Sequence, residues 1–264
     1  MPTGKVQNTL VTELRRDQIY TALGKKVRVD GRAPDESRPI RIETGVIRKA
    51  QGSARVYLGS TQVLVGVKLM PGTPFPDTPK SGVIISNAEL VPMASPIFEP
   101  GPPNENAIEL ARLVDRGVRE SKAIDLEKLF IEENKVWMLF VDVHALDDDG
   151  NLIDAACIGA TAALLTAKVP RSQFGLGEDI PLEVRHAPVA VTVADVRGHL
   201  IVDPGLDEGA VADSRLTVMT REDGALCGLQ KGGTGSLSPE RLEEMVRLGI
   251  EKGKERRKLL PRQV

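Results

Sequence analysis

The sequence predicts an α+β fold made of two similar halves, and three observations predict it. Apolar runs of strand length cluster at 40–70 and again at 189–233. Each cluster leads on to helices whose apolar residues recur at three- and four-residue spacing. No short tandem repeat is present, so the strands-then-helix order that occurs twice reads as one α+β domain over 1–264 rather than an array. Its first half covers about 25–170 and its second about 180–264, preceded by an N-terminal helix at about 8–23.

Leu10, Val11, Leu14, Ile19, Ala22 and Leu23 give that first helix one apolar side, and Gly24 is placed to end it. A charged turn, VRVDGR, follows. Three strands come next, IRIETGVIRKA, SARVYLGS and QVLVGVKLM, with breaks at Gly52 and at Gly59–Ser60–Thr61 that suit antiparallel neighbours. Pro71–Pro79 cannot be central strand. VIISNAELV is another strand, followed by a Pro-rich loop. Asn104 predicts the N-cap of a helix reaching about Ala123. VWMLFVDVHAL is long and apolar enough for a central strand. DDDGN then turns the chain into a helix from about Leu152 to Lys168, whose alanines and Gly159 imply a closely packed neighbour. In the second half VAVTVADV, HLIVDP, RLTVMTRED and ALCGLQKGG read as strands. Ser238 and Pro239 open a last helix with Leu242, Met245, Val246, Gly249 and Ile250 on its apolar side.

Composition excludes several functions. Aromatic residues make up 3% of the chain, five Phe, two Tyr and one Trp, which leaves little material for a base-stacking platform. A nucleic-acid contact would therefore run mainly from Arg or Lys to phosphate. The net charge of -2 is no bulk polycation, so a local basic stripe would have to supply it. Cys157 and Cys227 make neither a disulfide framework nor a zinc site, and His144, His186 and His199 have no ligand spacing. The N-terminal segment lacks the apolar core of a signal peptide, and the apolar stretch around Ala155–Ala167 is too short to span a bilayer. A cytoplasmic setting, with no metal and no membrane, is the expectation.

Four segments carry candidate chemistry. In NENAIELARLVDRGVRES, Arg112, Arg116 and Arg119 fall within about 60° of one another on a helix. Leu110, Leu113, Val114, Gly117 and Val118 lie mostly on the opposite side. Three forked guanidiniums on an anchored helix suit phosphate. Glu109, Asp115 and Glu120 are equally spaced to pair with them, and taken alone that solvated-charge alternative is favoured. DDDGNLIDAAC places a Gly turn at a helix N-terminus, a possible anion site. Asp147, Asp148, Asp149 and Asp154 crowd it with negative charge, so it reads as a structural turn. Asp203, Asp207, Glu208 and Asp213 have the chemistry of metal ligands or acid–base groups, but no specifying spacing, and turn or helix-start roles are favoured. KGGTGSLSPE lacks both Walker and GxGxxG spacing and reads as a loop.

VRVDGR, GSARVYLGSTQVLVGV, FEPGPPNENAIELARLVDRGVRES, DDDGNLIDAACIGATAALLTA and RLTVMTREDGALCGLQKGGTGSLSPE occur in the order and spacing of the RNase PH family. Over nearly its whole length the chain resembles that family, and within it the non-catalytic RNase PH-like subunits of the archaeal exosome. The resemblance implies an RNase PH-like fold with pseudo-duplicated halves. It also implies a hexameric ring of three heterodimers with a catalytic RNase PH-like subunit, and RNA-binding cap subunits on one face. Such a ring degrades single-stranded RNA 3′ to 5′, with inorganic phosphate as the attacking group at the partner's site and no other cofactor. Catalytic relatives carry a Gly-Gly-Thr-Arg type of turn before the small-residue helix. Here the matching stretch is Gly150-Asn151-Leu152-Ile153, so a hydroxyl and a guanidinium are replaced by apolar side chains. The acidic segment retains Ala212 and Asp213, and Gly209 interrupts it. A non-catalytic subunit with no catalytic residues follows, and the resemblance raises the RNA-binding expectation for Arg112 and Arg116, then Arg119. The alternative is a phosphorolytic exoribonuclease active in its own right.

Overall fold

The structure, a computed structural model, describes residues 15–263. Two antiparallel-rich sheets enclose a layer of helices, and a last helix covers the outside of the second sheet. The first sheet has the order β1-β2-β3-β6-β4, formed by β1 (Ile40–Thr44), β2 (Gly52–Leu58), β3 (Thr61–Gly72), β4 (Val83–Leu90) and β6 (Lys135–Asp147). The short β5 (Phe130–Glu132) pairs with β6 at its margin. As its apolar length predicted, β6 is central: it runs antiparallel to β3 and parallel to β4. The second sheet has the order β10-β9-β11-β12, from β9 (Val189–Val196), β10 (His199–Val202), β11 (Ser214–Thr220) and β12 (Leu226–Gly232). A two-stranded ribbon of β7 (Lys168–Val169) and β8 (Ile180–Pro181) bridges the halves in sequence.

The helix over 15–24 (α1) buries Ile19 and Leu23 against Ala194, Val196 and Ile201 of the second sheet, so the N-terminal helix serves the C-terminal half. Its expected start near residue 8 lies outside the described residues. The left-handed residue after it is Lys26, not Gly24. α2 (Glu105–Glu120) is capped by Asn104, whose side chain accepts from the Ala107 N–H at 3.0 Å. α3 (Leu152–Leu165) is buried on nearly every side between the two sheets, which is why it is built from alanine. A Cβ on Gly159 would stand 2.7 Å from Val65 Cγ2, the close approach its small residues predicted. α4 (Leu206–Val211) is a short helix inside the acidic segment. α5 (Pro239–Arg257) starts at the Ser238 cap and packs Met245 against Val191, Val193 and Val218.

Two boundaries differ from the sequence expectation. The first strand stops at Thr44, because Gly45 turns with φ +69°, and Gly52 opens β2 rather than separating strands. A Cβ on Gly52 would stand 2.2 Å from the Ala163 carbonyl oxygen, so this glycine admits α3 to the sheet. α3 ends at Leu165, not Lys168, because the Lys168 N–H donates to the Gln51 carbonyl at 3.1 Å and the chain turns into β7.

Candidate nucleic-acid interface

α2 lies along the first sheet's inner face, with Leu110, Leu113, Val114 and Val118 buried, so its polar side is turned outward by packing alone. The three arginines share that side but do not converge. Arg112 is exposed and makes no ion pair among the described residues. Arg116 reaches over β12 and donates to Gln230 Oε1 at 2.9 Å, while Gln230 donates to Glu109 at 3.3 Å. Arg119 turns the other way: it donates to Asp115 at 3.0 Å and to the Ile84 carbonyl of β4 at 3.2 Å. The helix thus offers two guanidiniums with free donors, and a third already held by an i,i+4 carboxylate.

Beside the first turns of α2 opens a cavity of about 310 Å³. Its floor is the turn before α3. Gly150 has φ +88° and Asn151 φ +59°, and a Cβ on Gly150 would stand 2.4 Å from the Leu206 nitrogen. The Gly150 carbonyl accepts from Thr61 Oγ1 at 2.8 Å and from Arg38 at 3.1 Å, which fixes the turn. Leu152 and Ile153 of this turn line the cavity, with Leu90, Ile97, Phe98 and Leu206 as further apolar wall. Residues 150–153 themselves carry no cationic side chain.

Asp154 follows this turn and is tied to it, accepting from Asn151 Nδ2 at 2.8 Å. Its carboxylate is fully buried, paired with Arg256 and accepting from Thr192 N–H and Oγ1 at 2.9 and 2.8 Å. It sits in the first turn of α3, as the sequence expectation had it, but its charge is paired inside the protein by Arg256 rather than exposed at the terminus.

The acidic segment is committed to structure. Asp203 is fully buried and bonded to Arg38 at 2.7 Å and to Asn151 at 2.7 Å. Burial would raise its carboxyl, but the hydrogen bond and charge of Arg38 overcome that and hold it down at about 2. Glu208 receives the Arg28 Nε at 2.8 Å, Asp207 pairs with Arg15, and Asp213 accepts from the Arg197 N–H at 2.7 Å. No group of three His, Cys, Asp or Glu side chains suited to a metal occurs among the described residues. The glycines of KGGTGS are structural too, since Gly235 N–H donates to the Asp213 carbonyl at 2.7 Å. Sequence reasoning missed Arg28, Arg38 and Arg256, which are 2%, 8% and 3% exposed. A single arginine in a polar stretch carries no periodic signal of burial.

Comparison with known proteins decides the family. The two domain models of the 3′ exoribonuclease family match residues 36–170 (domain 1, RNase PH) and 186–252 (domain 2). The chain belongs to the RNase PH family. Within that family it is 58% identical over 244 residues to the exosome complex component Rrp42 of Methanocella arvoryzae, covering 92% of this chain and 94% of the relative. It is 53% identical to the Rrp42 of Archaeoglobus fulgidus, over 91% of this chain and 93% of that one. Among solved structures it matches a chain of the Archaeoglobus fulgidus exosome with RNA bound to the active site, with a TM-score of 0.92, 52% identity and 94% and 98% coverage. An archaeal exosome core chain matches with a TM-score of 0.89, 48% identity and 96% and 99% coverage. The RNase PH-like α+β fold is therefore the fold of this chain, and α2 and the turn before α3 are features of an RNase PH family member.

Proposed function

We propose that this chain is the non-catalytic RNase PH-like subunit of an exosome ring, completing the site of a catalytic RNase PH-like partner. Three such heterodimers make the hexamer, with RNA-binding cap subunits on one face, in the cytoplasm. Its relatives named exosome complex component Rrp42 support this assignment.

The observation that carries the non-catalytic role is the apolar pair Leu152–Ile153 at the turn before α3. Phosphorolysis brings an inorganic phosphate against an RNA phosphodiester, so like charges must be clamped as bonds exchange. Apolar side chains cannot do this, and the carboxylates at Asp203, Asp207, Glu208 and Asp213 are held by internal partners. The chain contributes RNA contact instead. Arg112 and Arg116 have free donors on a rigid helix and hold single-stranded RNA by its phosphates; Arg119 joins more weakly because Asp115 holds it. Inorganic phosphate acts at the partner's site, and this chain needs no cofactor of its own.

The test incubates the homogeneous chain, the catalytic partner, and their complex with poly(A) and phosphate. The expected result is release of nucleoside diphosphates by the complex and none by this chain alone. Robust release by the isolated chain would make it an exoribonuclease in its own right. Sedimentation of the mixture should show a hexamer-sized species, and chains that remain separate at micromolar concentration overturn the ring.

A further inference from the structure

On the side of β12 that faces α2 stand Gly228, Gln230 and Gly232, each opposite a residue of β11. The two glycines are seats for arginine side chains. Arg116 Cδ lies 3.3 Å from where a Gly228 Cβ would be. Arg215, directly across from Gly232, lays Cγ 3.0 Å and Nε 2.5 Å from where a Gly232 Cβ would be. Neither glycine has a positive φ, so space rather than backbone conformation requires them. A Cβ on Gly232 would displace Arg215, whereas one on Gly228 would only press tightly on Arg116.

Arg215 is half-buried in the wall of the cavity beside α2, and its guanidinium makes no hydrogen bond or ion pair with the described residues. Two carboxylates share that wall and both have donors: Glu109 takes Gln230 at 3.3 Å, and Asp148 takes the Gly150 N–H at 3.0 Å. A seated guanidinium with no acceptor from the protein keeps its whole fork of donors available to an anion from solvent. The seats of Arg116 and Arg215 are four residues apart on one strand, roughly 13 Å. A single phosphate cannot bridge that span, but a polynucleotide backbone can.

We infer that Arg215 is a further phosphate contact for single-stranded RNA, so that the strand passes from Arg112 and Arg116 of α2 onto the second sheet. This rests on the RNA-binding role proposed for α2. It extends that role to a residue on a different element, 99 positions from Arg116 in sequence.

The test measures RNA affinity against salt for the complex with the catalytic partner, using poly(A) and poly(U) oligonucleotides. Arg215→Gln should weaken both several-fold and reduce the salt slope by about 0.7, the loss of one single-strand phosphate contact. Arg215→Lys should keep most of the slope. Gly232→Ala keeps the charge but displaces the guanidinium, and should weaken binding as Arg215→Gln does; it carries the test if that variant fails to assemble. An unchanged slope in assembled Arg215→Gln, beside a reduced one in Arg112→Glu/Arg116→Glu, overturns the Arg215 contact alone. Unchanged slopes in both overturn the RNA-binding role of α2 itself. Binding of free inorganic phosphate with loss of affinity in Arg215→Gln, but no change in RNA affinity, makes the residue a small-anion site and overturns the inference.

Discussion

Asp154 and Arg256 form an ion pair in the protein interior, joining the first turn of α3 to the last turn of α5 across 102 residues of sequence. The same carboxylate holds Thr192 of β9, and Thr192 in turn meets Thr217 of β11 at 2.8 Å. One buried acid thus fixes the central helix to the second sheet and to the outer helix together.

Removing that acid strands the guanidinium. Asp154→Ala should cost about 3–5 kcal/mol, the scale for a buried pair broken on one side. For a chain of this size that lowers Tm by roughly 10 °C. Adding Arg256→Met should recover much of the loss, because the uncompensated charge goes with it. Chemical denaturation of the two variants checks this; equal losses in single and double variants would discard the pairing as the cause.

Asp203 makes stability depend on acid. Its carboxyl is held at about 2 in the folded chain against an ordinary 3.8. A depressed carboxylate pKa stabilises the fold above the unfolded value and loses that contribution as pH falls through the folded value. The window is therefore about pH 4 down to 2, and the contribution about 2 kcal/mol. Asp203→Asn should be less stable at neutral pH and should lose less stability between pH 4 and 2. Parallel acid limbs for the two proteins would refute this.

Arg112 and Arg116 should act through phosphate. In the assembled complex, Arg112→Glu/Arg116→Glu should weaken different homopolymers by similar factors and reduce the salt slope by about 1.4, two contacts at 0.7 each. Degradation by the partner should slow with it. Arg119→Gln should do less, since Asp115 and the Ile84 carbonyl already occupy that guanidinium. A folded, assembled double variant with unchanged affinity and slope would rule the contact out.

Gly150 should resist replacement. Its φ of +88° disfavours any side chain, and an added Cβ would meet the backbone of Leu206 at 2.4 Å. Gly150→Ala should cost on the order of 3 kcal/mol from strain and overlap together. The displaced turn should loosen the cavity wall, read as faster amide exchange at 204–210. A variant with wild-type stability would show that α4 moves aside freely.

The sequence by itself determined the α+β class, the central place of β6, the capped starts of α2 and α5, and the close packing around α3. Each rests on local information: the period of apolar residues, Asn104 and Ser238 before a helix, and alanines where a helix must pass between sheets. The resemblance to the RNase PH family, not local spacing, singled out Leu152 and Ile153 where catalytic relatives carry a hydroxyl and a guanidinium. The tertiary structure decided what the charges do. Arg112, Arg116 and Arg119 share a helix face by arithmetic, yet β12 draws one to Gln230 and β4 draws another to Ile84. Asp154 and Asp203 look like solvent-facing turn residues, yet Arg256 and Arg38 bury them from 102 and 165 residues away. A charge reads as exposed until its partner is known, and partners brought together only by folding leave no mark in local spacing.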